Sequence, residues 1–278
     1  MLKKLERLDS RLVYVLLAIS IVVPLLNPLG LPLGISAESR QVFERINRLP
    51  DGATVLLSYD YSSGGIAELD AGVRALLHHL STRNAKVVAM SSTTEGPMFA
   101  QQTLPIYQQQ GKQYGIDYVN LGFLAGGESG LSALCRDVGQ VFKTDFAGAP
   151  LASLPVMSSI KTIKDFDLAI SFNIGPVDGA NTGVWVRIVR TEYAVPLILY
   201  VVTVMSPANM PYLQSGQIDG LLSGLRSGAE YEKLVEKPGS AVAGMDAQSI
   251  SHLVIIGFIA LGNIALYAAR KAKGGVAK

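Results

Sequence analysis

One cysteine, Cys135, in 278 residues leaves no partner for an internal disulfide and no basis for a cysteine-rich zinc site. Charge is scarce as well: Asp, Glu, Lys and Arg make up 17% of the chain, and 24 Lys and Arg against 22 Asp and Glu give a net charge of +2. That balance excludes a strongly basic nucleic-acid binder, so no nucleic acid is expected as a partner. The apolar share of 49% excludes a disordered chain. Histidine is confined to His78, His79 and His252, and G-x-S-x-G is missing, so no serine has the usual histidine base in view. The phosphate loop G-x-x-x-x-G-K-[ST] and a G-x-G-x-x-G after a strand are also missing. Gly126-Gly127-Glu128-Ser129-Gly130 lacks the lysine that would grip a triphosphate. No metal site and no cofactor are expected.

What is present is concentrated at the two ends. Residues 12–35 form a run of 24 without a charge, broken late by Pro24, Pro28 and Pro32. Residues 250–269 form a second run of 20 whose only ionisable side chain is His252. About 20 helical residues cross the hydrocarbon core of a bilayer, so both runs are expected to be transmembrane helices. A cleaved signal peptide is the rival reading of the first, with Gly34-Ile35-Ser36-Ala37 as small residues for cleavage. The outer flanks (1–11 and 270–278) carry eight Lys and Arg, against five on the inner flanks at Arg40, Arg45, Arg48, Lys233 and Lys237. The bias puts both termini in the cytoplasm and the middle outside, in a protein of the cytoplasmic (inner) membrane. The ends hold 8 of the 24 basic but 2 of the 22 acidic residues, leaving 36–249 mildly acidic with 16 basic and 20 acidic. That surface has no polybasic patch for anionic lipid.

The 36–249 segment alternates short aliphatic runs with helix-length stretches. Strands are expected over 53–59, 86–90, 117–122, 167–172 and 195–204. Helices are expected over 66–83, 97–110, 129–142, 183–192 and 209–235, and 143–164 reads as a long connection or lid. Continuous apolar strands, each followed by a helix, imply a doubly wound, mostly parallel five-stranded α/β sheet covered on both faces. The expected organisation is thus a cytoplasmic 1–11, a span over 12–35, an extracytoplasmic α/β domain over 36–249, a span over 250–269 and a basic cytoplasmic tail over 270–278.

In such sheets ligands collect beyond the carboxyl ends of the strands. The loops expected there carry small and polar residues: Asp60, Ser62, Ser63 and Gly64; Ser91, Ser92, Thr93 and Glu95; Gly126, Gly127, Glu128 and Ser129; and Ser206 to Asn209. Backbone N–H groups at helix N-termini suit a small anionic ligand, although the same residues are ordinary caps and turns. Asp60, Glu95 and Glu128 also offer carboxylates for acid–base work or a divalent metal. Cys135, inside a helix, reads as a small core residue. Gly216, Gly220, Gly224 and Gly228 recur every four residues within the expected 209–235 helix. Such a stripe permits close backbone approach, either to the protein's own sheet or to a second copy in a homo-oligomer.

The segments YDYSSGGIAELDAG, YGIDYVNLGFLAGGESG and MPYLQSGQIDGLLSGLRSGAEYE resemble a prokaryotic family of membrane-anchored α/β proteins with no activity attached. The resemblance covers most of the middle domain, and implies that its loops belong to one ancestral site. The function expected from all of this is a membrane-anchored module that self-assembles and serves as a scaffold or binding protein, for a small anion or a membrane partner protein. The alternative is a membrane-tethered hydrolase or lyase working through Asp60, Glu95 and Glu128.

Overall fold

A computed structural model describes residues 10–175 and 179–274. The flanking parts of the expected cytoplasmic termini, residues 1–9 and 275–278, lie outside the described residues. The chain divides into two compact units, one from Met1–Pro32 with Val242–Lys278 and the other Leu33–Ala241.

The Leu33–Ala241 unit is an α/β domain. Helix α1 (Ser10–Leu26) belongs to the other unit, and this domain opens with α2 (Ala37–Asn47). Strand β1 (Thr54–Asp60) leads to α3 (Ile66–Thr82), then β2 (Lys86–Ser91) to α4 (Gly96–Thr103) and α5 (Pro105–Gln109). Strand β3 (Tyr118–Phe123) leads to α6 (Gly127–Arg136) and α7 (Val138–Val141), and β4 (Leu168–Asn173) follows three 3-10 turns. Next come α8 (Thr182–Trp185) with a π-helical continuation over Val186–Glu192, β5 (Leu197–Val201), α9 (Ser206–Gln214), β6 (Gly220–Ser223) and α10 (Gly224–Leu234). The last helix, α11, is Ser240–Gly274.

The sheet has six strands in the order β3-β2-β1-β4-β5-β6, all neighbours parallel. Alternate residues of each strand face opposite sides, and both sides are buried. Val55, Leu57, Tyr59, Ile170 and Phe172 join one core with Leu69, Val73, Leu76 and Tyr231 from α3 and α10. Leu56, Ala169 and Leu199 join a second core with Leu131, Leu134, Trp185 and Ile188 from α6, α8 and the π-helical segment. The continuous apolar strands do signal a doubly covered sheet.

Two expectations need correction. The sheet has a sixth strand, and the single helix expected over 209–235 is instead α9, β6 and α10. The four glycines consequently form no stripe. Gly216 sits in a turn, Gly220 opens β6, and Gly224 starts α10 with φ +59°. A Cβ at Gly228 would lie 2.9 Å from the Tyr200 hydroxyl and 3.3 Å from the Gly72 backbone, so its smallness lets α10 seat against α3. Gly220, Gly224 and Gly228 are buried within the domain, which removes the basis for an oligomer interface on one glycine-lined helix. The four-residue recurrence misled because a turn, a four-residue strand and a helix happened to keep its spacing.

In the other unit, Ser240–Ala268 is a helical stretch long and apolar enough to cross a membrane, and the unit holds most of it. Leu253, Ile256 and Ile259 are among its exposed large apolar side chains. Ser10–Leu26 is an apolar helix of 17 residues, about 25 Å at 1.5 Å per residue. It falls short of the span expected over 12–35: it carries Pro24 within it and ends at Leu26, ahead of Asn27, whose place before Pro28 disfavours helical backbone. The segment after it is pinned by Asp246, whose buried carboxylate accepts the N–H groups of Leu29 and Gly30 at 2.8 Å and of Leu31 at 3.0 Å.

Candidate functional site

The strand order reverses direction between β1 and β4, the place where open α/β sheets leave a crevice at their carboxyl edge. Register sets Ser58 beside Ser171 and Asp60 beside Asn173. With a side-chain period of two, all four belong to the same face of otherwise apolar strands. Burying polar groups there is costly unless each finds a partner.

Asp60 is 1% exposed and its carboxylate is fully engaged. Oδ1 accepts the Ser58 hydroxyl at 2.7 Å, the Ser92 hydroxyl at 2.6 Å and the Ser92 N–H at 2.9 Å. Oδ2 accepts the Trp185 indole N–H at 2.9 Å and the Ser171 hydroxyl at 3.0 Å. Burial pushes the Asp60 pKa up, while the Ser92, Ser58 and Ser171 bonds pull against it. An indole and a backbone amide can only donate, so this arrangement is built around the carboxylate as an acceptor.

The same network ties three loops together. The Ser92 hydroxyl, in the loop after β2, accepts the N–H of Ala180 from the loop after β4 at 2.8 Å. Asn173 Nδ2 donates to Ala180 O at 2.9 Å, and its Oδ1 accepts the Gly175 N–H at 2.9 Å. Ser91 Oγ donates to Tyr59 O at 2.7 Å and accepts the Thr93 N–H at 2.9 Å. On the outer side, Glu95 accepts the Ser63 N–H at 2.9 Å, joining the β2 loop to the β1 loop.

The residues expected from the sequence thus fall into two groups. Asp60, Ser91, Ser92 and Thr93 are buried and spent on holding the loops. Ser63, Gly64, Glu95, Gly126, Glu128 and Ser129 are exposed, with Ser62 and Gly127 partly so, and these form the rim. The three carboxylates considered for catalysis have separate partners: Asp60 its hydroxyls and indole, Glu95 the Ser63 amide, and Glu128 the guanidinium of Arg187 at 2.6 Å. Among the described residues no three His, Cys, Asp or Glu side chains gather to hold a metal ion. Cys135 is buried, and burial pushes its thiol up to about 12, far from the thiolate a nucleophile needs.

Sequence reasoning missed Ser58, Ser171, Asn173 and Trp185. A signal existed: TVLLSYD and LAISFN each end with polar residues two apart, the spacing that puts both on one face. Trp185 carried no such mark. It reaches Asp60 from α8, which starts at the N-cap Asn181, whose side chain accepts the Val184 N–H.

Comparisons with protein families, with curated proteins and with solved structures find no match to this chain. The family resemblance read from the loop segments therefore gains no support from them, and the site's chemistry has to speak for itself.

Proposed function

We propose that this protein is a membrane-anchored α/β binding module that takes a small anionic ligand at the carboxyl edge of its sheet, beside the β1/β4 reversal. The observation that carries the reading is the buried carboxylate of Asp60 at the end of β1, which holds Ser92 of the loop after β2 and, through the Ser92 hydroxyl, Ala180 of the loop after β4. Loop residues held in place before a ligand arrives lose little freedom on binding. The exposed rim at the same edge of the sheet, which includes the loop after β3, offers hydroxyls and backbone N–H groups of the kind that receive anions at the start of α3 and α6. Burial and full occupation of Asp60, together with the separate partners of Glu95 and Glu128, favour binding over acid–base chemistry.

Anchoring rests on α11, with Ser10–Leu26 as a second apolar segment. Both termini in the cytoplasm and the domain outside the cytoplasmic membrane follow from the basic flanks. The buried Gly220, Gly224 and Gly228 leave a homo-oligomeric scaffold without the glycine-lined helix that suggested it. The test is a thermal-shift survey of small anions (phosphate, sulfate, dicarboxylates) on the full-length protein in mild detergent. A stabilising anion whose effect disappears in Gly64→Trp, which obstructs the rim without touching Asp60, supports the reading. Stabilisation that persists unchanged in Gly64→Trp places the ligand elsewhere.

A further inference from the structure

Away from the Asp60 network, helix α3 presents Ala71, Arg74, Ala75 and His78 to a cavity of about 280 Å³. These positions are i, i+3, i+4 and i+7, one stripe of the helix. The two alanines leave room, and Ile106 of α5 extends the apolar floor. The opposite wall is the connection from α10 to α11, which contributes Lys237.

Three nitrogen-bearing groups at this cavity have capacity to spare. Arg74 gives its Nε to Asp70 at 2.7 Å, and its two terminal nitrogens have no partner among the described residues. The Lys237 ammonium forms no ion pair or side-chain hydrogen bond among them either. His78 Nδ1 is buried without a hydrogen-bond partner among the described residues, a state that costs free energy unless something supplies one. Burial, and after it the charge of Lys237, holds the His78 imidazole below its ordinary pKa. The carboxylate at the cavity, Glu232, is engaged: it accepts the N–H groups of Gly239 at 2.8 Å and Ala241 at 3.0 Å, at the first turn of α11. Its charge is directed at that helix start.

We propose that this cavity is a second binding site, specific for a phosphate group carried on a small, partly apolar molecule. A guanidinium fork, an ammonium and an imidazole are the groups that hold phosphate oxygens, and the alanine and isoleucine floor takes the organic part. The volume admits a glycerol-phosphate-sized ligand or the head of a lipid, and is too small for a dinucleotide.

The experiment uses the full-length protein in mild detergent, with two probes: sn-glycerol 3-phosphate followed by calorimetry, and phosphatidic acid in mixed micelles followed by native mass spectrometry. Lys237→Ala and His78→Ala are compared with the wild type, with Trp185 fluorescence confirming that each is folded. Weakening of about tenfold or more in both variants is expected. Binding of glycerol phosphate alone identifies a soluble phosphate ester, and retention of phosphatidic acid alone identifies a lipid head group; either supports the phosphate site. Failure of both probes to bind the wild type overturns it. So does unchanged affinity in the two variants, or loss of binding in Gly64→Trp instead, which would place the phosphate at the rim of the sheet.

Discussion

Acidification should weaken this protein through one imidazole. His79, on α3, is 4% exposed. Its Nδ1 lies 2.7 Å from the Tyr231 hydroxyl and its Nε2 3.1 Å from Asn47 Oδ1, with Phe43 stacked on the ring at 4.6 Å. A neutral ring satisfies both contacts: Nε2–H donates to the amide oxygen and Nδ1 accepts from the phenol. Burial first, then the charges of Arg83 and His78, lower its pKa from 6.5 to about 4. Because the folded value lies below the unfolded one, the unfolded chain binds the proton first. The contribution is intact above pH 6.5 and is lost as pH falls toward 4. By linkage the loss amounts to about 2 kcal/mol at pH 5 and about 3 kcal/mol at pH 4. The single tryptophan, Trp185, is fully buried and reports unfolding of the domain. Urea unfolding of the full-length protein, followed by its fluorescence from pH 7 to 4.5, should show this extra loss in the wild type. His79→Leu should lack it, while sharing the background contributed by Asp60 and Glu230. Parallel pH profiles for the two proteins would show that His79 is not held neutral in this cluster, and would refute the packing of α3 against Tyr231.

Other perturbations test other joints of the structure. Trp185→Phe removes an N–H donor from Asp60 and should cost about 1–3 kcal/mol, read by urea unfolding with circular dichroism; a cost below about 0.5 kcal/mol would deny the indole its role. Gly228→Leu should destabilise the domain by about 1–3 kcal/mol or more through overpacking against Tyr200 and Gly72, without changing subunit number in native mass spectrometry. Glu232→Ala frees the amides of Gly239 and Ala241, whose hydrogen exchange should accelerate about tenfold or more, while the central strands keep their protection. An Ala152→Cys thiol, on an exposed turn, should react with a membrane-impermeant maleimide in intact cells, because buried Cys135 gives no background. Protection of that thiol until the cells are opened would put the domain inside.

The architecture was legible wherever apolar periodicity was unambiguous. The first four strands and α3 lie within a residue or so of their expected positions, because full burial demands uninterrupted aliphatic residues there. Errors arose where one pattern served two structures. GLLS, framed by Gly220 and Gly224, is too short to show a strand period and continues a helical one. The 97–110 helix breaks at Leu104-Pro105, where proline removes a backbone donor. At the site, Asp60 and the loop serines were visible as residue types at strand ends. Their division into buried anchors and exposed rim was not, since it depends on Trp185 and Ala180 arriving from more than a hundred residues away for the first and about ninety from Ser92 for the second. The cavity beside His78 was equally hidden. It needs the α10–α11 connection to fold back across α3, which no local pattern announces.

Native mass spectrometry of the full-length protein, extracted gently from its own membrane, addresses the binding claim most directly. The account predicts a reproducible added mass of an acidic small molecule on the wild type, and its loss in Gly64→Trp. A wild type that consistently flies without any adduct, or one whose every adduct is retained by Gly64→Trp and lost in Lys237→Ala, would contradict ligand binding at the carboxyl edge of the sheet.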